Sequence, residues 1–344
     1  MTDKKRYWGL VSPYLPAREI AALAKRQEDM GLEGTFAAQV YGPPFLPLVA
    51  AACGTQRLKV ATGIAIALTR SPFETAMAAI DMDRMSGGRF VLGLGASIKT
   101  WTEGLFGMPY GKPTEHLREA VLAIREIIQK AHTGELKRIK GQYYDLDFSE
   151  LQPVVPPPRT DLPIWVSALR GPMIRLGAEV ADGVIGHPIW SVKWVTDTVA
   201  RELGRGLDKA GRKRGDIHVN CWFWATPNRD AQQSVEDAKG CVAFYAGMAQ
   251  YEPYFAAHGF GAECRKLQEG VKAGNFMSTA HLVPDEMAST FVLTGTPDEV
   301  RRKLAPAWDV ADSMTLIPPM LSLAPEQSAA YEQTLAETFY ADLR

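Results

Sequence analysis

The chain has 344 residues, of which 46% are hydrophobic and 22% are charged, and its formal net charge is −1. That length suits two average domains or one large α/β barrel, and the balanced charge gives no reason to expect binding to nucleic acid or to a membrane surface. No segment reads as a signal peptide or a membrane span, and the four cysteines lack zinc or C-x-x-C spacing, so we expect a cytoplasmic protein with reduced cysteines.

Short apolar segments alternate with helical ones along the chain. Eight predicted strands begin at Tyr7, Gly34, Leu58, Phe90, Ile164, Gly183, Ile217 and Ser313. Helices are predicted over residues 17–30, 48–54, 112–132, 172–180, 190–210, 230–250 and 325–343, and two more open at Pro72 and Pro297. Ser71 is the predicted N-cap of the helix at Pro72, and Thr296 with Glu299 forms a capping-box pattern. Residues 133–150 are polar and β-prone, which indicates a surface excursion.

Alternating strands and helices predict a parallel sheet. Eight strand–helix units in this length predict a single (β/α)₈ TIM barrel of the α/β class, with insertions after strands 4 and 7 and one domain over residues 1–344. The alternative is a doubly wound open sheet, which needs a G-x-G-x-x-G turn directly after the first strand. No such turn follows the strand at Tyr7, and Gly93-Leu94-Gly95 comes after the fourth strand without a third glycine.

The fourth strand belongs to the stretch M-S-G-G-R-F-V-L-G-L-G, residues 85–95. Its apolar run predicts a buried strand, and glycines at the end of a strand let a ligand approach the backbone closely. The alternative is a core strand whose glycines only relieve crowding. Both interpretations stay open at this point.

In a barrel the functional residues lie at the C-terminal ends of the strands. Three such ends are small, apolar or glycyl: Thr62-Gly63-Ile64, Gly95-Ala96-Ser97 and Ala168-Leu169-Arg170-Gly171. No cluster of acids and histidines predicts a metal site, and no G-x-S-x-G elbow is present. Open backbone with few acids or bases favours a bound organic cofactor that carries the reactivity itself.

Two strand ends carry polar side chains with more than one interpretation. Ser167 to Gly171 run from a strand into a helix start, where free amides beside Arg170 could hold a phosphate; alternatively Arg170 is a solvated surface residue. His187 is either a hydrogen-bonded core histidine or a donor or acid at the edge of a ligand. Nearby Trp190, Trp194, Trp222 and Trp224 are interpreted mostly as core, with one or two as walls of a flat ring site.

Three motifs, in order, resemble those of the bacterial luciferase-like flavin and deazaflavin oxidoreductases. The first is S-P-F-E-T-A-M-A-A-I-D-M-D-R-M-S-G-G-R-F-V-L-G-L-G, ending at Gly95, and the second is the A-x-x-G-P loop at Ala168 followed by a helix and A-D-G. The third, T-G-T-P-D-E-V, begins at Thr294. The resemblance implies a (β/α)₈ barrel, a homodimer and a cofactor, either FMN or coenzyme F420. It is greater for the F420 branch.

In that branch a non-prolyl cis peptide often supports the deazaflavin ring, and the matching bond here is Gly63–Ile64. The resemblance implies that the cofactor is bound by Thr62, Gly63, Ile64, Ala96, Ser97, Ser167, Ala168, Leu169, Arg170 and Gly171. Members of the branch commonly carry an acid or a histidine at the end of the second strand, whereas this chain has Gln39. Glutamine can bond a ring but is no acid, which argues against a sugar-phosphate dehydrogenase. Gln39 and His187 are the candidate catalytic residues.

We therefore expect an F420-dependent oxidoreductase that transfers a hydride between the deazaflavin and a small organic substrate. One alternative is an FMN-dependent monooxygenase that uses reduced flavin and oxygen, and another is a non-catalytic flavin-binding protein. Residues 251–287 are expected to cover the site and to set substrate choice.

Overall fold

All eight predicted strands form, and each begins within one residue of its predicted start. The computed structural model describes residues 5–274, 277–321 and 323–343. The strands are β1 Tyr7–Val11, β2 Gly34–Ala37, β3 Lys59–Thr62, β4 Ala65–Ile66, β5 Phe90–Gly95, β6 Arg138–Lys140, β7 Asp145–Asp147, β8 Ile164–Ser167, β9 Gly183–Ile185, β10 His218–Pro227, β11 Val292–Gly295 and β12 Ser313–Ile317.

Eight of these strands close into a parallel barrel, which confirms the predicted TIM-barrel fold. Neighbours run β1–β2–β3–β5–β8–β9–β10–β12 and return to β1. Parallel strands covered on both faces read as continuous apolar runs rather than as alternating ones, and all six residues of β5 are buried. The short β4 pairs with β5, and β11 pairs with the end of β10.

Helices follow the strands as the sequence predicts. The α-helices are α1 Ala17–Asp29, α2 Phe45–Cys53, α3 Pro72–Ser86, α4 Lys99–Gly104, α5 Pro113–Lys130, α6 Gly171–Val180, α7 Val192–Trp194, α8 Ala200–Ala210, α9 Ala231–Ala246, α10 Glu252–Ala256, α11 Gly261–Ala273, α12 Asp285–Phe291, α13 Pro297–Leu304 and α14 Pro325–Leu335. The predicted helix over 190–210 is in fact α7 and α8 joined by a π-helical turn at Val195–Val199.

The predicted helix caps are confirmed by their hydrogen bonds. The Ser71 hydroxyl accepts from the amide of Glu74 at 3.0 Å, and Pro72 occupies the first turn of α3. At α13 the Thr296 amide donates to Glu299 Oε2 at 2.8 Å, which completes the capping box. These bonds satisfy amides that a helix start otherwise leaves unpaired.

Both predicted insertions are present. After β5 the chain forms α4, α5 and the antiparallel hairpin β6–β7, which accounts for the polar segment at 133–150. After β10 it forms α9 to α13 and the strand β11 before it reaches β12. The strand β11 was not predicted, because four residues next to a helix carry no periodicity of their own.

Contacts divide the chain into two compact units. The first unit comprises Trp8–Ile185 and Arg201–Val219, and the second comprises Met1–Tyr7, Gly186–Ala200 and Asn220–Arg344. One domain over 1–344 stays a prediction. Among the described residues no helix has both the length and the apolar character needed to cross a bilayer, and none of their acids, histidines and cysteines gather in a group that could hold a metal. All four cysteines are free thiols.

Candidate functional site

The two glycines of β5, in the first unit, have different roles. A Cβ on Gly93 would lie 1.9 Å from the carbonyl oxygen of Thr62 and 2.7 Å from Cδ1 of Ile185. Gly93 therefore allows close packing of neighbouring strands, as the core interpretation proposes. A Cβ on Gly95 would lie 2.5 Å from Ser167 Oγ and 2.9 Å from Ile64 Cδ1. Gly95 thus lets two predicted cofactor residues, Ser167 after β8 and Ile64 after β3, pack closely against the backbone of β5.

The predicted cis peptide at Gly63–Ile64 is confirmed. Beside it, the hydroxyl of Thr62 donates to the carbonyl oxygen of Gly93 at 2.7 Å and accepts from the Gly93 amide at 2.8 Å. Thr62 has no exposed surface. Its hydroxyl therefore joins two strands and has no further capacity to donate to a ligand.

The loop after β5 holds a residue in an unusual backbone conformation. Ser97 has φ of +59°, in the left-handed region that few non-glycine residues adopt. Its carbonyl oxygen accepts from the Tyr110 hydroxyl at 3.0 Å, whereas its own hydroxyl bonds no described residue. The preceding Ala96 is buried. Burial raises the pKa of Tyr110, and the nearby charge of Arg170 opposes that rise, so Arg170 lies within electrostatic reach of this loop.

At the start of α6 some polar groups already have hydrogen-bond partners and others do not. The amide of Ala168 donates to Ile185 at 2.9 Å, so it is not free to bind a phosphate. Gly171 begins the helix, and Pro172 has no amide hydrogen. The Arg170 side chain is exposed and forms no hydrogen bond or ion pair with the described residues. Three groups remain for an anion: the Arg170 guanidinium, the first turn of the helix, and the Ser167 hydroxyl, which also bonds no described residue.

Gln39, at the end of the second barrel strand, anchors its neighbours through one oxygen. Its Oε1 accepts from the amide of Ile66 at 2.9 Å and from Arg70 Nη1 at 3.1 Å. Gln39 is only 8% exposed, yet its Nε2 has no acceptor among the described residues. This amide nitrogen is thus a donor available to a ligand.

Arg70 is a site residue that sequence reasoning missed. Its guanidinium contacts Gln39, lies 3.4 Å from Glu74 Oε2 and stacks 5.7 Å from the ring of Phe45. Burial lowers its pKa, although an arginine stays charged under all ordinary conditions. Its place directly before Ser71 and Pro72 gave only a helix-start signal, because the contact with Gln39 spans 31 residues.

His187, in the second unit, is a neutral histidine with both ring nitrogens in contact with protein groups. The Ile189 amide approaches Nδ1 at 3.4 Å, and the Tyr251 hydroxyl lies 3.3 Å from Nε2. Burial lowers the pKa of His187 to about 3. With Nδ1 as the acceptor, the single proton sits on Nε2 and points to Tyr251. The catalytic role of His187 stays a prediction, and it is restricted to the neutral ring.

Aromatic residues that the sequence did not single out surround His187. The ring of Tyr245 meets those of His187, Phe244 and Tyr251 edge-on, with centroids 4.8, 5.0 and 5.1 Å apart. Of the four tryptophans near the strand ends, Trp190, Trp222 and Trp224 are buried and Trp194 is half-buried. This agrees with their interpretation as mostly core.

Two cavities, of about 660 and 670 Å³, also lie within the second unit. Ser191 and His258 line the first, and their hydrogen bond of 3.0 Å joins Oγ to Nε2. The His258 Nδ1 is held by the carbonyl of Tyr254 at 2.9 Å. Trp190 and Trp194 line the first cavity, whereas none of the predicted cofactor-binding or catalytic residues lines either cavity. The polar groups of the Ser–His pair already satisfy one another.

Known proteins are similar to this chain in sequence and in fold. The sequence profile of the family described as luciferase-like monooxygenase matches residues 4–310. A protein named putative coenzyme F420-dependent oxidoreductase, from Mycobacterium tuberculosis, is 28% identical over 323 residues, which cover 89% of this chain and 90% of the relative.

Two solved structures have the same fold at low sequence identity. The F420-dependent tetrahydromethanopterin reductase of Methanopyrus kandleri superposes with a TM-score of 0.83 and 22% identity, covering 99% of this chain and 100% of the other. The oxygenating constituent of 3,6-diketocamphane monooxygenase from Pseudomonas putida, in complex with FMN, gives a TM-score of 0.65 at 14% identity and covers 98% and 97%.

Proposed function

We propose a function from one premise: the chain belongs to the luciferase-like monooxygenase family. Within it, the chain is an F420-dependent oxidoreductase that transfers a hydride between the deazaflavin and a small organic substrate. A relative named for F420 dependence, similar over 89% of the chain, supports this choice of cofactor.

The observation that carries the proposal is the set of uncommitted donors in the first unit. The hydroxyl of Ser167, which lies against Gly95, and the guanidinium of Arg170 have no partner among the described residues. One positive charge suits a phosphate. The residues present therefore fit the anionic part of a cofactor.

Each predicted residue then has a distinct role. Arg170 and the start of α6 would hold the phosphate, Ser97 and Ser167 would offer hydroxyls, and the backbone at Gly63, Ile64, Ala96, Leu169 and Gly171 would contact the rest of the cofactor. Thr62 and Ala168 support this surface through their strand contacts. The bound deazaflavin supplies the hydride chemistry.

Gln39 orients its neighbours through hydrogen bonds and does not take up or release a proton. Its Oε1 accepts from Arg70 and from the Ile66 amide, and its Nε2 would donate to an oxygen of a bound ligand. Because an amide has no titratable proton near neutral pH, Gln39 cannot move a proton. His187 contributes as a neutral hydrogen-bonding group.

A binding titration of the purified protein with coenzyme F420 and with FMN tests the proposal. Saturable binding of F420 at micromolar concentration, with no saturation by FMN, is the expected result. Binding of FMN alone would replace the proposal by the FMN-dependent monooxygenase. Binding without turnover of any substrate would favour the non-catalytic flavin-binding protein.

The homodimer and the cytoplasmic location stay predictions. The dimer is proposed to form through α2 and α3, where the side chains of Leu46 and Met85 are 69% and 61% exposed. Light scattering at micromolar concentration measures its mass directly, and a monomer mass would reject it.

A further inference from the structure

The loop after β5 is held at Ser97 by a single hydrogen bond. The carbonyl oxygen of Ser97 accepts from the Tyr110 hydroxyl at 3.0 Å, across 13 residues of chain. With φ of +59°, Ser97 has the left-handed conformation, which serine disfavours and glycine adopts freely. Such a conformation persists only where the surroundings enforce it. The Tyr110 bond is the one hydrogen bond that Ser97 forms with the described residues, so we assign the enforcement to it.

Tyr110 is itself held by the insertion after β5. The Nδ1 of His116, near the start of α5, donates to the Tyr110 carbonyl oxygen at 3.1 Å. The ring of His116 is 5% exposed and stacks on Tyr143, with centroids 4.1 Å apart and planes 11° from parallel. Tyr143 lies between β6 and β7, where the amides of residues 142–144 donate to the Glu119 carboxylate at 2.8–2.9 Å. Helix α5 and the hairpin therefore give Tyr110 a fixed support.

We propose that Tyr110 is a positioning residue for cofactor binding: its hydroxyl holds Ser97 in the left-handed conformation in which the Ser97 amide and hydroxyl bind the cofactor. Neither of these two groups of Ser97 has a hydrogen-bond partner among the described residues. The proposal rests on the proposed function, because it takes Ser97 as part of the cofactor site. Tyr110 acts through Ser97 and is not among the predicted cofactor-binding or catalytic residues.

The chemistry of the pair suits this role. A tyrosine hydroxyl has one hydrogen to donate, and the Ser97 carbonyl accepts it. Burial raises the pKa of Tyr110, so the hydroxyl keeps that hydrogen at neutral pH. A ligand that binds one conformation binds more weakly in proportion as that conformation is less populated. Loss of the bond should therefore weaken binding through the backbone of Ser97, without loss of a contact between Tyr110 and the ligand.

A double-mutant cycle of Tyr110→Phe and Ser97→Gly tests the proposal, with the dissociation constant of coenzyme F420 as the readout. FMN takes the place of F420 if the wild type binds FMN alone. Tyr110→Phe keeps the ring and removes the bond, so affinity should fall roughly three- to tenfold. In the Ser97→Gly background the same change should lower affinity at most about twofold, because glycine adopts positive and negative φ about equally. Equal losses in both backgrounds, or no loss in Tyr110→Phe, would overturn the proposal.

Tyr143→Phe is the matched control in the same insertion. The Tyr143 hydroxyl accepts from the Lys112 amide at 3.1 Å, and phenylalanine keeps the ring that stacks on His116. Each of the two variants, Tyr143→Phe and Tyr110→Phe, loses one hydrogen bond to the backbone, so both melting temperatures should fall by similar amounts. Only Tyr110→Phe should lose cofactor affinity. Equal losses of affinity would make Tyr110 merely structural.

A measurement without cofactor separates this proposal from the proposed function. The backbone chemical shifts of Ser97 in the free chain, measured by NMR, report the sign of its φ. They should indicate positive φ in the wild type and in Tyr143→Phe and move towards negative φ in Tyr110→Phe, and unchanged shifts in Tyr110→Phe would overturn the proposal. If the wild type binds neither F420 nor FMN, the oxidoreductase assignment and the cofactor role of Ser97 fail together. If the wild type binds F420 and the cycle shows no coupling, the role of Tyr110 fails alone.

Discussion

The candidate hydrogen-bond donors of the two units differ in charge. In the first, the candidate residues are glycines, small side chains and one unpaired cation, Arg170, at a helix start. In the second, they are aromatic rings with neutral polar hydrogens, around His187. A lone cation attracts an anion, whereas neutral groups offer an anion no counter-charge. The comparison teaches that the first unit, and not the surroundings of His187, has the group suited to an anionic ligand.

The largest effect is expected at a glycine of the first unit. In Gly93→Ala the new Cβ would lie 1.9 Å from the carbonyl oxygen of Thr62, and backbone on both strands must shift. We expect a loss of about 3 kcal/mol in the free energy of unfolding, at the upper end for overpacking. Urea denaturation measures it.

Gly204→Ala, in the middle of α8, is the control for that substitution. Nothing lies within 4 Å of its built Cβ, so the helix should gain about 0.5–1 kcal/mol. Equal stabilities of the two variants would show that β3 and β5 do not depend on Gly93 for their close approach.

The second effect tests the cation of the first unit. Arg170→Ala should weaken binding of coenzyme F420 tenfold or more, because a hydrogen bond to a charged group contributes about 1.5–3 kcal/mol. Its stability should be unchanged, since the side chain bonds no described residue. Arg125→Ala, in the same unit, removes an ion pair with Asp182 and should lower stability while F420 affinity is kept. If the two variants bind F420 equally, Arg170 is a surface residue.

The third effect concerns Gln39. Gln39→Met removes the acceptor for Arg70 and for the Ile66 amide, and should cost about 1–3 kcal/mol of stability. Gln39→Glu keeps that acceptor beside Arg70 and replaces the amide donor by a negatively charged oxygen, so it should retain stability and bind cofactor or substrate less well. A chemical denaturation series on both variants checks this. Equal losses would mean that the oxygen of Gln39 does not hold its neighbours.

The smallest effect is a pH dependence in the second unit. Because the pKa of His187 is about 3 in the fold, against about 6.5 in an unfolded chain, the unfolded chain binds a proton between these values that the folded chain does not. Stability therefore falls as pH decreases from 6.5 towards 3, by at most about 1.4 kcal/mol per pH unit, and partial exposure of the ring reduces this.

His187→Gln should remove that contribution. Between pH 7 and pH 5 the variant should lose about 1 kcal/mol less than the wild type. His258, whose pKa burial also lowers, is present in both proteins and cancels. Parallel stability curves would show that His187 is not buried in its neutral form.

The sequence predicted the fold well because its strands are continuous apolar runs. All eight barrel strands begin within one residue of their predicted starts, and the caps at Ser71 and Thr296 form the expected bonds. The cis bond at Gly63 was predicted only through the family resemblance. Sites formed by backbone atoms are marked in the local sequence by glycines and other small residues.

No local sequence pattern marks the aromatic residues around His187. Tyr245 lies in a predicted helix and Tyr251 at the start of a segment with no clear pattern, and each is more than 55 residues from His187. The contact of Arg70 with Gln39 is equally remote in sequence. The Thr62 hydroxyl and the Ala168 amide form hydrogen bonds with neighbouring strands. These bonds depend on tertiary packing, which composition and residue spacing do not reveal.

The most direct test of this difference between the two units is the dissociation constant of coenzyme F420 for the wild type, Arg170→Ala and Tyr245→Phe, measured side by side by fluorescence titration. The account predicts micromolar binding by the wild type, affinity lower by about tenfold or more in Arg170→Ala, and no change in Tyr245→Phe. Unchanged affinity in Arg170→Ala, or an equal loss in Tyr245→Phe, would contradict it.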